Sequence, residues 1–207
     1  FRKDLAIAEA LAAKDPANTF LQRDLAVSYE KVGDALREDG DKTGALGSFR
    51  KSIGIRETLL ARNKSDRLAQ RDLSVSHEKI GNILADQNDL TGALVEYRKS
   101  LELREQLAKV DPGNMLWQRD ISVSQEKIGN VLRDQGDKAS ALVEYRKSLG
   151  IREMLAVRDP LNTQWRRDIS VSHNKIGDIL RDQDDNADAR DAYQKGLAAI
   201  EPLAARD

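Results

Sequence analysis

The sequence predicts an all-α fold in which antiparallel helix pairs stack on one another, with nine helices in all. Three observations predict it: one segment recurs at a fixed period, the apolar residues within each copy have helical spacing, and capping and turn residues recur at the same positions. No stretch alternates apolar and polar residues as a half-buried strand does. Since a single helix pair cannot bury its own apolar stripes, the copies must pack against each other.

The repeated segment begins at four evenly spaced positions. QRDLSVSHEKIGNIL begins at Gln70, and QRDISVSQEKIGNVL begins at Gln118, 48 residues later. Related segments begin at Gln22 and Arg166, at the same interval on either side. Self-similarity at a fixed period of about 20–50 residues is the signature of a stacked repeat array.

Each copy contains two helical patterns. In the third copy these predict helices over residues 114–134 and 137–158, because apolar residues recur there at three- and four-residue steps. The apolar residues of the first pattern are Trp117, Ile121, Ile128, Val131 and Leu132, and those of the second are Ala141, Leu142, Tyr145, Leu149, Ile151 and Leu155.

Capping and turn residues mark the ends of these helices. One column of N-cap residues precedes each first helix, and a column of aspartates opens each second helix. Residues that tolerate a left-handed conformation separate the two helices of a copy, and prolines follow three of the second helices. These columns are Asn18, Asp66, Asn114 and Asn162; Asp41, Asp89, Asp137 and Asp185; Gly40, Asn88, Gly136 and Asp184; and Pro16, Pro112 and Pro160.

The two ends of the sequence depart from the full repeat. Phe1 aligns with Phe49, so residues 1–17 are expected to be the second helix of a truncated repeat, with at least half a repeat upstream in a longer protein. At the other end Arg190 and Asp191 replace apolar residues, and Pro202 is expected to interrupt the last helix, as in a polar capping repeat. The predicted division is a single array over 1–207, with repeats 18–65, 66–113 and 114–161 and a capping repeat 162–207.

Composition argues against several classes of function. The chain has no Cys, a net charge of −1 and 4% aromatic residues. We therefore expect no disulfide, no membrane span and no attraction to nucleic acid through bulk charge. No nucleotide-binding, zinc-protease or serine-hydrolase motif is present, so we expect no enzyme, no cofactor and no metal. His77 and His173 lie two repeats apart, which favours structural places beside the core over metal ligation.

Other recurring columns have structural interpretations. The serines at the column of Ser76 are expected to be small packing positions. The Arg-Asp pairs, such as Arg23 with Asp24, are expected to form a ladder of ion pairs between repeats rather than ligand contacts. Trp117 and Trp165 are expected to pack in the core rather than stack on a ligand.

Each copy resembles the tetratricopeptide repeat. That family has a large apolar residue followed by glycine in its first helix, then a small residue and an aromatic in its second. The matching triplets here are Gly33, Ala45 and Phe49; Gly81, Ala93 and Tyr97; Gly129, Ala141 and Tyr145; and Gly177, Ala189 and Tyr193. The glycines are expected to allow a close helix crossing, with the alanines as their small partners. The unit is 48 residues rather than 34, and residues 101–114 are similar to the second helices of kinesin light chain repeats.

The resemblance implies a right-handed superhelical array whose first helices line a concave groove that holds a peptide or a helix of a partner. Position by position, the groove residues are expected to be Glu30, Asp34, Arg37, Glu78, Asn82, Glu126, Asn130, Arg133, Asn174, Asp178 and Arg181, with Glu38, Asp86, Asp134 and Asp182 at the rim. Asn82 and Asn130 are favoured because an amide both donates and accepts hydrogen bonds. The acidic side chains would prefer a basic partner, although a merely solvated polar face explains the same residues nearly as well.

The sequence therefore predicts a protein–protein interaction scaffold or regulatory module. Self-association through the ends of the array is a second hypothesis, and regulation of a catalytic domain upstream of Phe1 is a third. RNA binding is disfavoured by the net charge and by the scarcity of aromatic residues. The absence of cysteine and of a targeting segment predicts a cytoplasmic protein. The similarity of the copies indicates recent duplication, from which we expect a bacterial source.

Overall fold

The computed structural model describes residues 2–204, excluding the side chains of Arg2 and Ala204. These residues contain nine α-helices and no strand, as predicted. The helices are α1 (Arg2–Lys14), α2 (Thr19–Glu38), α3 (Lys42–Arg62), α4 (Arg67–Asp86), α5 (Leu90–Val110), α6 (Met115–Asp134), α7 (Lys138–Arg158), α8 (Thr163–Arg181) and α9 (Asn186–Ala204). Phe1, on which the predicted truncated repeat depends, and Asp207, the predicted end of the array, lie outside the described residues.

The chain divides into two compact units, residues 1–107 and 108–207, with the boundary inside α5. In unit 1, α1 packs on α2, α2 on α3, and α3 on α4. In unit 2, α6 packs on α7, α7 on α8, and α8 on α9. Both units therefore contain consecutive antiparallel helix pairs, as the repeat pattern predicts.

The predicted caps begin the helices. The side chain of Asn114 accepts a hydrogen bond from the main-chain N–H of Trp117 at 3.2 Å, and Asn18, Asp66 and Asn162 cap their helices in the same way. Before the second helices, Asp137 accepts from the N–H of Ser140 at 3.0 Å. Each cap satisfies an N–H group that the first turn of a helix leaves without an intrahelical partner.

The predicted left-handed residues end the first helices. Gly40 and Gly136 have φ values of 83° and 86°, and Asn88 and Asp184 have values of 62° and 63°. Glycine adopts this conformation without a steric penalty, and asparagine and aspartate tolerate it better than other residues. The chain reverses at these positions, so the second helix of each pair returns antiparallel to the first.

The spacing of glycine and aromatic residues that recurs in each repeat produces a close helix crossing. The group nearest to the glycine is the aromatic ring and not the predicted alanine. A Cβ atom added to Gly129 would lie 2.6 Å from the ring of Tyr145, and one added to Gly33 would lie 2.7 Å from the ring of Phe49. Ala45 and Ala141 are fully buried, but neither provides one of the atoms nearest to these glycines. The ring reaches across the crossing because it extends much farther from its helix than a methyl group does.

Each unit has its own apolar core. In unit 1, Ala45, Leu46, Phe49 and Ile53 of α3 form a cluster with Leu73, Ile80 and Ile83 of α4. In unit 2 the buried residues include Ile121, Val131, Tyr145, Leu155 and Ile179. Among residues 2–204, no helix is long and apolar enough to cross a bilayer.

The last helix differs from its prediction. Pro202 does not interrupt α9, which continues to Ala204. Proline removes one main-chain donor, and so close to the end of the helix the loss affects only its last turn.

Candidate functional site: the face of the first helices

One face of each first helix ends at a predicted groove residue, and the other predicted groove residues lie beside that face, within about 60° around the helix. Residues seven apart on a helix are rotated by only about 20° from one another, so they share a face. We call this stripe the first-helix face. It consists of Phe20, Val27 and Asp34 on α2; Leu68, Val75 and Asn82 on α4; Leu116, Val123 and Asn130 on α6; and Gln164, Val171 and Asp178 on α8. The stripe is largely apolar near the start of each helix and polar toward its end.

The apolar start of this face is exposed. Phe20 is 76% exposed and Leu68 is 54% exposed in unit 1, and Leu116 is 63% exposed in unit 2. The prediction from sequence missed these residues, because apolar residues at helical spacing were assigned to the core. The signal for them was their position two steps of seven residues before the predicted groove residues Asp34, Asn82 and Asn130. Exposed apolar side chains that recur on one face favour contact with a partner.

The polar end of the face in unit 1 is already paired within the protein. Glu30 accepts from Arg56 of α3 and from Lys79 of α4, both at 2.6 Å. Lys79 also contacts Asp34 at 2.7 Å. Burial raises the pKa of Glu30, but Lys79 and Arg56 lower it by more, so the pKa lies below its ordinary value. These side chains link three helices and are not simply presented to solvent.

Arg56 is the centre of this arrangement. Its side chain is only 4% exposed. Besides Glu30, it donates to the hydroxyl of Ser76 and to the main-chain oxygen of Asp72, both on α4. A buried guanidinium is stable only when it is paired and hydrogen-bonded, and these partners meet that requirement.

Unit 2 repeats the arrangement 96 residues later. Arg152 is also 4% exposed, contacts Glu126, and donates to Ser172 at 2.7 Å and to the main-chain oxygen of Asp168 at 3.0 Å. Burial raises the pKa of Glu126, but Arg152 and Lys175 lower it by more, so it too lies below its ordinary value. We call each of these buried sets, centred on Arg56 or Arg152, an arginine network.

The sequence analysis missed the arginine networks. The arginines recur every 48 residues, at Arg56, Arg104 and Arg152, and this period was the available signal. Arg104 pairs with Glu78 at 2.6 Å. Ser76 and Ser172 are buried, as expected of packing positions, but they also serve as hydrogen-bond acceptors for the arginines.

The asparagines favoured as partner contacts are also engaged. Tyr97 donates to the side-chain oxygen of Asn82 at 2.8 Å, and Tyr145 donates to that of Asn130 at 2.9 Å. Lys175 contacts the same oxygen of Asn130 at 2.7 Å. Burial is the main reason that the pKa of Tyr145 is raised to about 12, so its hydroxyl keeps its proton and remains a donor at neutral pH.

The remaining predicted groove residues lie near the ends of the face. Arg133 pairs with the adjacent rim residue Asp134 at 2.8 Å, while Arg181 lies 3.6 Å from Asp178 and 3.4 Å from Asp182. Tyr193 donates to Asp178 at 2.8 Å. The exposed members of the set are Arg37, Asn174 and Arg181, together with the rim residues Glu38, Asp86, Asp134 and Asp182.

The other candidate residues have structural surroundings. His77 is buried and its Nδ1 atom lies 2.6 Å from Glu96, whereas His173 is half-buried. In the described part of the chain, no three residues of the types His, Cys, Asp and Glu are grouped to hold a metal ion. Arg23 pairs with Asp66 of the next repeat, which confirms an ion pair between repeats at that position. Trp165 is buried as predicted, with the guanidinium of Arg119 6.0 Å from its ring centre, and Trp117 is half-buried.

Comparison with known proteins finds a family match over part of the chain. A family model described as "Tetratricopeptide repeat" matches residues 78–112. No curated protein matches the sequence. Among solved structures, MamA is 14% identical over 97% of this chain and 88% of its own, with a TM-score of 0.58.

Two further solved structures have a similar fold. RapI in its apo form is 13% identical over 96% of this chain, with a TM-score of 0.70, and this chain spans 48% of the length of RapI. BtubC (BKLC) from P. vanneervenii is 12% identical over 98% of this chain and 89% of its own, with a TM-score of 0.52. At these identities the likeness establishes the fold alone.

Proposed function

We propose that this chain, in which residues 78–112 match the tetratricopeptide repeat model, is a protein-interaction scaffold that binds a peptide or helix of a partner along the first-helix face of unit 1. The observation that carries the proposal is the exposed apolar side chain near the start of both complete first helices of unit 1, Phe20 and Leu68. In unit 2, Leu116 is exposed at the same place of its own helix. Contact between apolar side chains and water is unfavourable. A partner that covers these side chains therefore gains about 25 cal/mol per Å² of apolar surface buried. We propose no catalytic role.

The polar end of the face then sets the chemistry of the partner. Glu30, Glu78 and Glu126 already have arginine partners, so they offer less charge to a ligand than their number suggests. The exposed rim residues Glu38 and Asp86 carry the negative charge of this end in unit 1. We therefore propose a partner segment with apolar side chains for Phe20 and Leu68, followed by a basic side chain for the rim.

The test compares two pairs of exposed apolar residues. The bait is the chain of residues 1–207, used to capture proteins from the source lysate for identification by mass spectrometry. Phe20→Ser with Leu68→Ser changes the proposed face, and Val157→Ser with Leu161→Ser changes exposed apolar residues elsewhere. We expect a specific partner to be lost from the first variant and kept by the second. Equal retention by both variants would reject the first-helix face.

The retained partner also tests the basic preference. A synthetic peptide that covers its contact segment should bind more weakly when its Lys and Arg residues are replaced by Gln. Weakening should also follow Glu38→Gln with Asp86→Asn, because these changes remove the proposed complementary charge. Unchanged affinity in both experiments would reject the preference for a basic partner and would leave only the apolar contact in the proposal.

Self-association is a second candidate, favoured by one observation on α9. Leu197 is 56% exposed, whereas Ile53, at the same place in its repeat, is 8% exposed beneath α4. A helix from a second copy would bury Leu197 in the same way. Light scattering should then give a mass that rises with protein concentration and that returns to the monomer mass for Leu197→Ser. A constant monomer mass contradicts this alternative.

We also propose a cytoplasmic location, which the absence of cysteine favours.

A further inference from the structure

A cavity lies in unit 1, away from the first-helix face. Its volume is about 520 Å³, and it is bounded by α2, α3 and the turn that follows α1. Leu25, Ile55 and Leu59 give it apolar walls, and Gly54 and Thr58 complete the side formed by α3. Sites for small molecules in proteins usually have volumes of about 300–1,000 Å³ and mostly apolar walls, so this cavity has the size and the lining of a ligand site.

Gly54 has no packing role that would explain a glycine inside a helix. Apart from its chain neighbours and the backbone of its own helix, a Cβ atom added there would have no heavy atom within 4 Å. One added to Gly33 would collide with the ring of Phe49 at 2.7 Å. Glycine is among the residues least favourable to a helix interior. Its effect at position 54 is to keep the cavity wide.

The equivalent positions of the other two full repeats do not combine two such small residues. Thr58 corresponds to Gln106 in the second repeat and to Met154 in the third. Gly54 corresponds to Glu102 in the second repeat, although the third repeat has Gly150. Among the three full repeats, the combination of a small residue at 54 and a short one at 58 therefore occurs only in the first.

The charge around this cavity is positive. Lys51 and Arg62 are among its lining residues, and no carboxylate is. They lie 11 residues apart on α3, so about 16 Å of helix separates them, with the apolar wall between. The ammonium group of Lys51 lies 5.0 Å from the ring centre of Tyr29. The carboxylate facing this region from α1 is Glu9, which accepts a hydrogen bond from the hydroxyl of Tyr29 at 2.5 Å.

We propose that this cavity binds a small amphipathic carboxylate, whose apolar body lies against Leu25, Ile55 and Leu59 and whose carboxylate pairs with Lys51 or Arg62. The apolar walls provide the affinity through burial of surface, and the cations select the anionic form of the ligand. This inference does not depend on the proposed partner of the first-helix face.

Decanoate is the probe for the first experiment, with 1-decanol as its uncharged equivalent. Backbone amide signals in NMR spectra of the full 207-residue chain are followed as decanoate is added below its micelle concentration. We expect saturable shifts at Gly54 and Thr58 and much smaller ones at Gly150 and Met154, the matched positions in unit 2. Decanol should bind at least tenfold more weakly. Equal shifts in both units, or equal binding of decanol, would overturn the proposal.

Variants at the lining positions test the site, and Thr58→Met and Arg62→Val each introduce the residue that another full repeat has at that place. Thr58→Met introduces the residue of the third repeat and should raise the Kd for decanoate at least tenfold. Lys51→Met with Arg62→Val should do the same for decanoate but leave the Kd for decanol within about twofold. An unchanged Kd for decanoate in either variant contradicts the proposal.

A second variant that fills the cavity keeps the proposal testable if Thr58→Met does not fold. Gly54→Glu introduces the residue of the second repeat and places both volume and negative charge in the cavity. Circular dichroism should give unchanged helix content, and decanoate binding should be lost. Retained binding by this folded variant would also overturn the proposal.

Discussion

The same three-helix arrangement occurs twice, as α2, α3 and α4 in unit 1 and as α6, α7 and α8 in unit 2, and the two versions differ in an informative way. Their arginine networks are alike: Arg56 and Arg152 have equivalent serine, main-chain and glutamate partners. Their surroundings differ, since Thr58 lines a cavity where unit 2 has Met154. The parts that agree maintain the packing of the helices, and the parts that differ are where binding can be specialised.

The largest expected effect is the loss of an arginine network. Arg152→Met leaves Glu126, which is four-fifths buried, without its arginine, and it removes the guanidinium that donates to the Ser172 hydroxyl and to the Asp168 carbonyl. We expect a loss of about 3 kcal/mol in the free energy of unfolding, measured with urea, since breaking a buried pair costs roughly 3–5 kcal/mol.

Arg56→Met should cost nearly as much, because its network has the same composition. Arg158→Met is the matched control on the surface of α7 and should stay within about 0.5 kcal/mol of the original protein. If either buried variant behaved like this control, the network would not be the structural element that we describe.

The glycine crossing gives the next largest effect. Gly129→Leu places a side chain where the Tyr145 ring already lies 2.6 Å from the Cβ position, so overpacking should lower the free energy of unfolding by about 1–3 kcal/mol. Gly150→Ala on α7 is the matched comparison, since its Cβ would meet nothing within 4 Å. That change should stabilise the helix by about 0.5–1 kcal/mol. Thermal unfolding measures both, and equal signs would contradict the assignment of the crossing.

How far the sequence predicts this structure depends on the range of the interaction. The period, the caps such as Asn114 and the left-handed residues such as Gly136 are local features, and all were predicted and found. The partner of Gly129 was predicted wrongly, because local spacing places Ala141 and Tyr145 on the same side but does not give the reach of each side chain. The crossing geometry decides between them.

The candidate site was predicted less completely for the same reason. Glu126 and Asn130 were placed on the correct helix, but their partners Arg152 and Lys175 lie on other helices, 26 and 45 residues away. A Glu126→Lys substitution would therefore break the arginine network as well as change a charge on the predicted groove. Phe20 was missed because its spacing from the predicted groove residue Asp34 was not used, and the structure shows it to be 76% exposed.

Removing a helix cap should have a smaller effect that is equal in the two units. Asn114→Ala removes the acceptor for the N–H of Trp117, and Asn18→Ala removes the one for Phe20 and Leu21. Each should lower the free energy of unfolding by about 1 kcal/mol. Asn114→Asp is the control, because Asp66 is the cap that the second repeat already uses, and it should be nearly neutral. A loss for Asn114→Asp as large as for Asn114→Ala would mean that the cap is not the cause.

The smallest expected effect is a difference in acid sensitivity. Glu30 and Glu126 both have pKa values below the ordinary 4.5 in the folded protein. Their pairing therefore adds stability above that value, and the contribution is lost as the pH falls through the folded pKa. Lys79 lies 2.6 Å from Glu30, whereas Lys175 lies 3.3 Å from Glu126, so unit 1 should have the larger share.

The slope of unfolding free energy against pH, measured by urea titration between about pH 5 and pH 3, separates the two glutamates. Glu30→Gln should flatten this slope more than Glu126→Gln does, since a glutamine does not titrate and the lost pairing is the closer one. Asp72 works against both, because burial raises its pKa and it takes up a proton more readily in the folded state. Asp72→Asn should therefore steepen the slope. The opposite order for the two glutamates would mean that the lysine distance does not determine how strongly each network depends on pH.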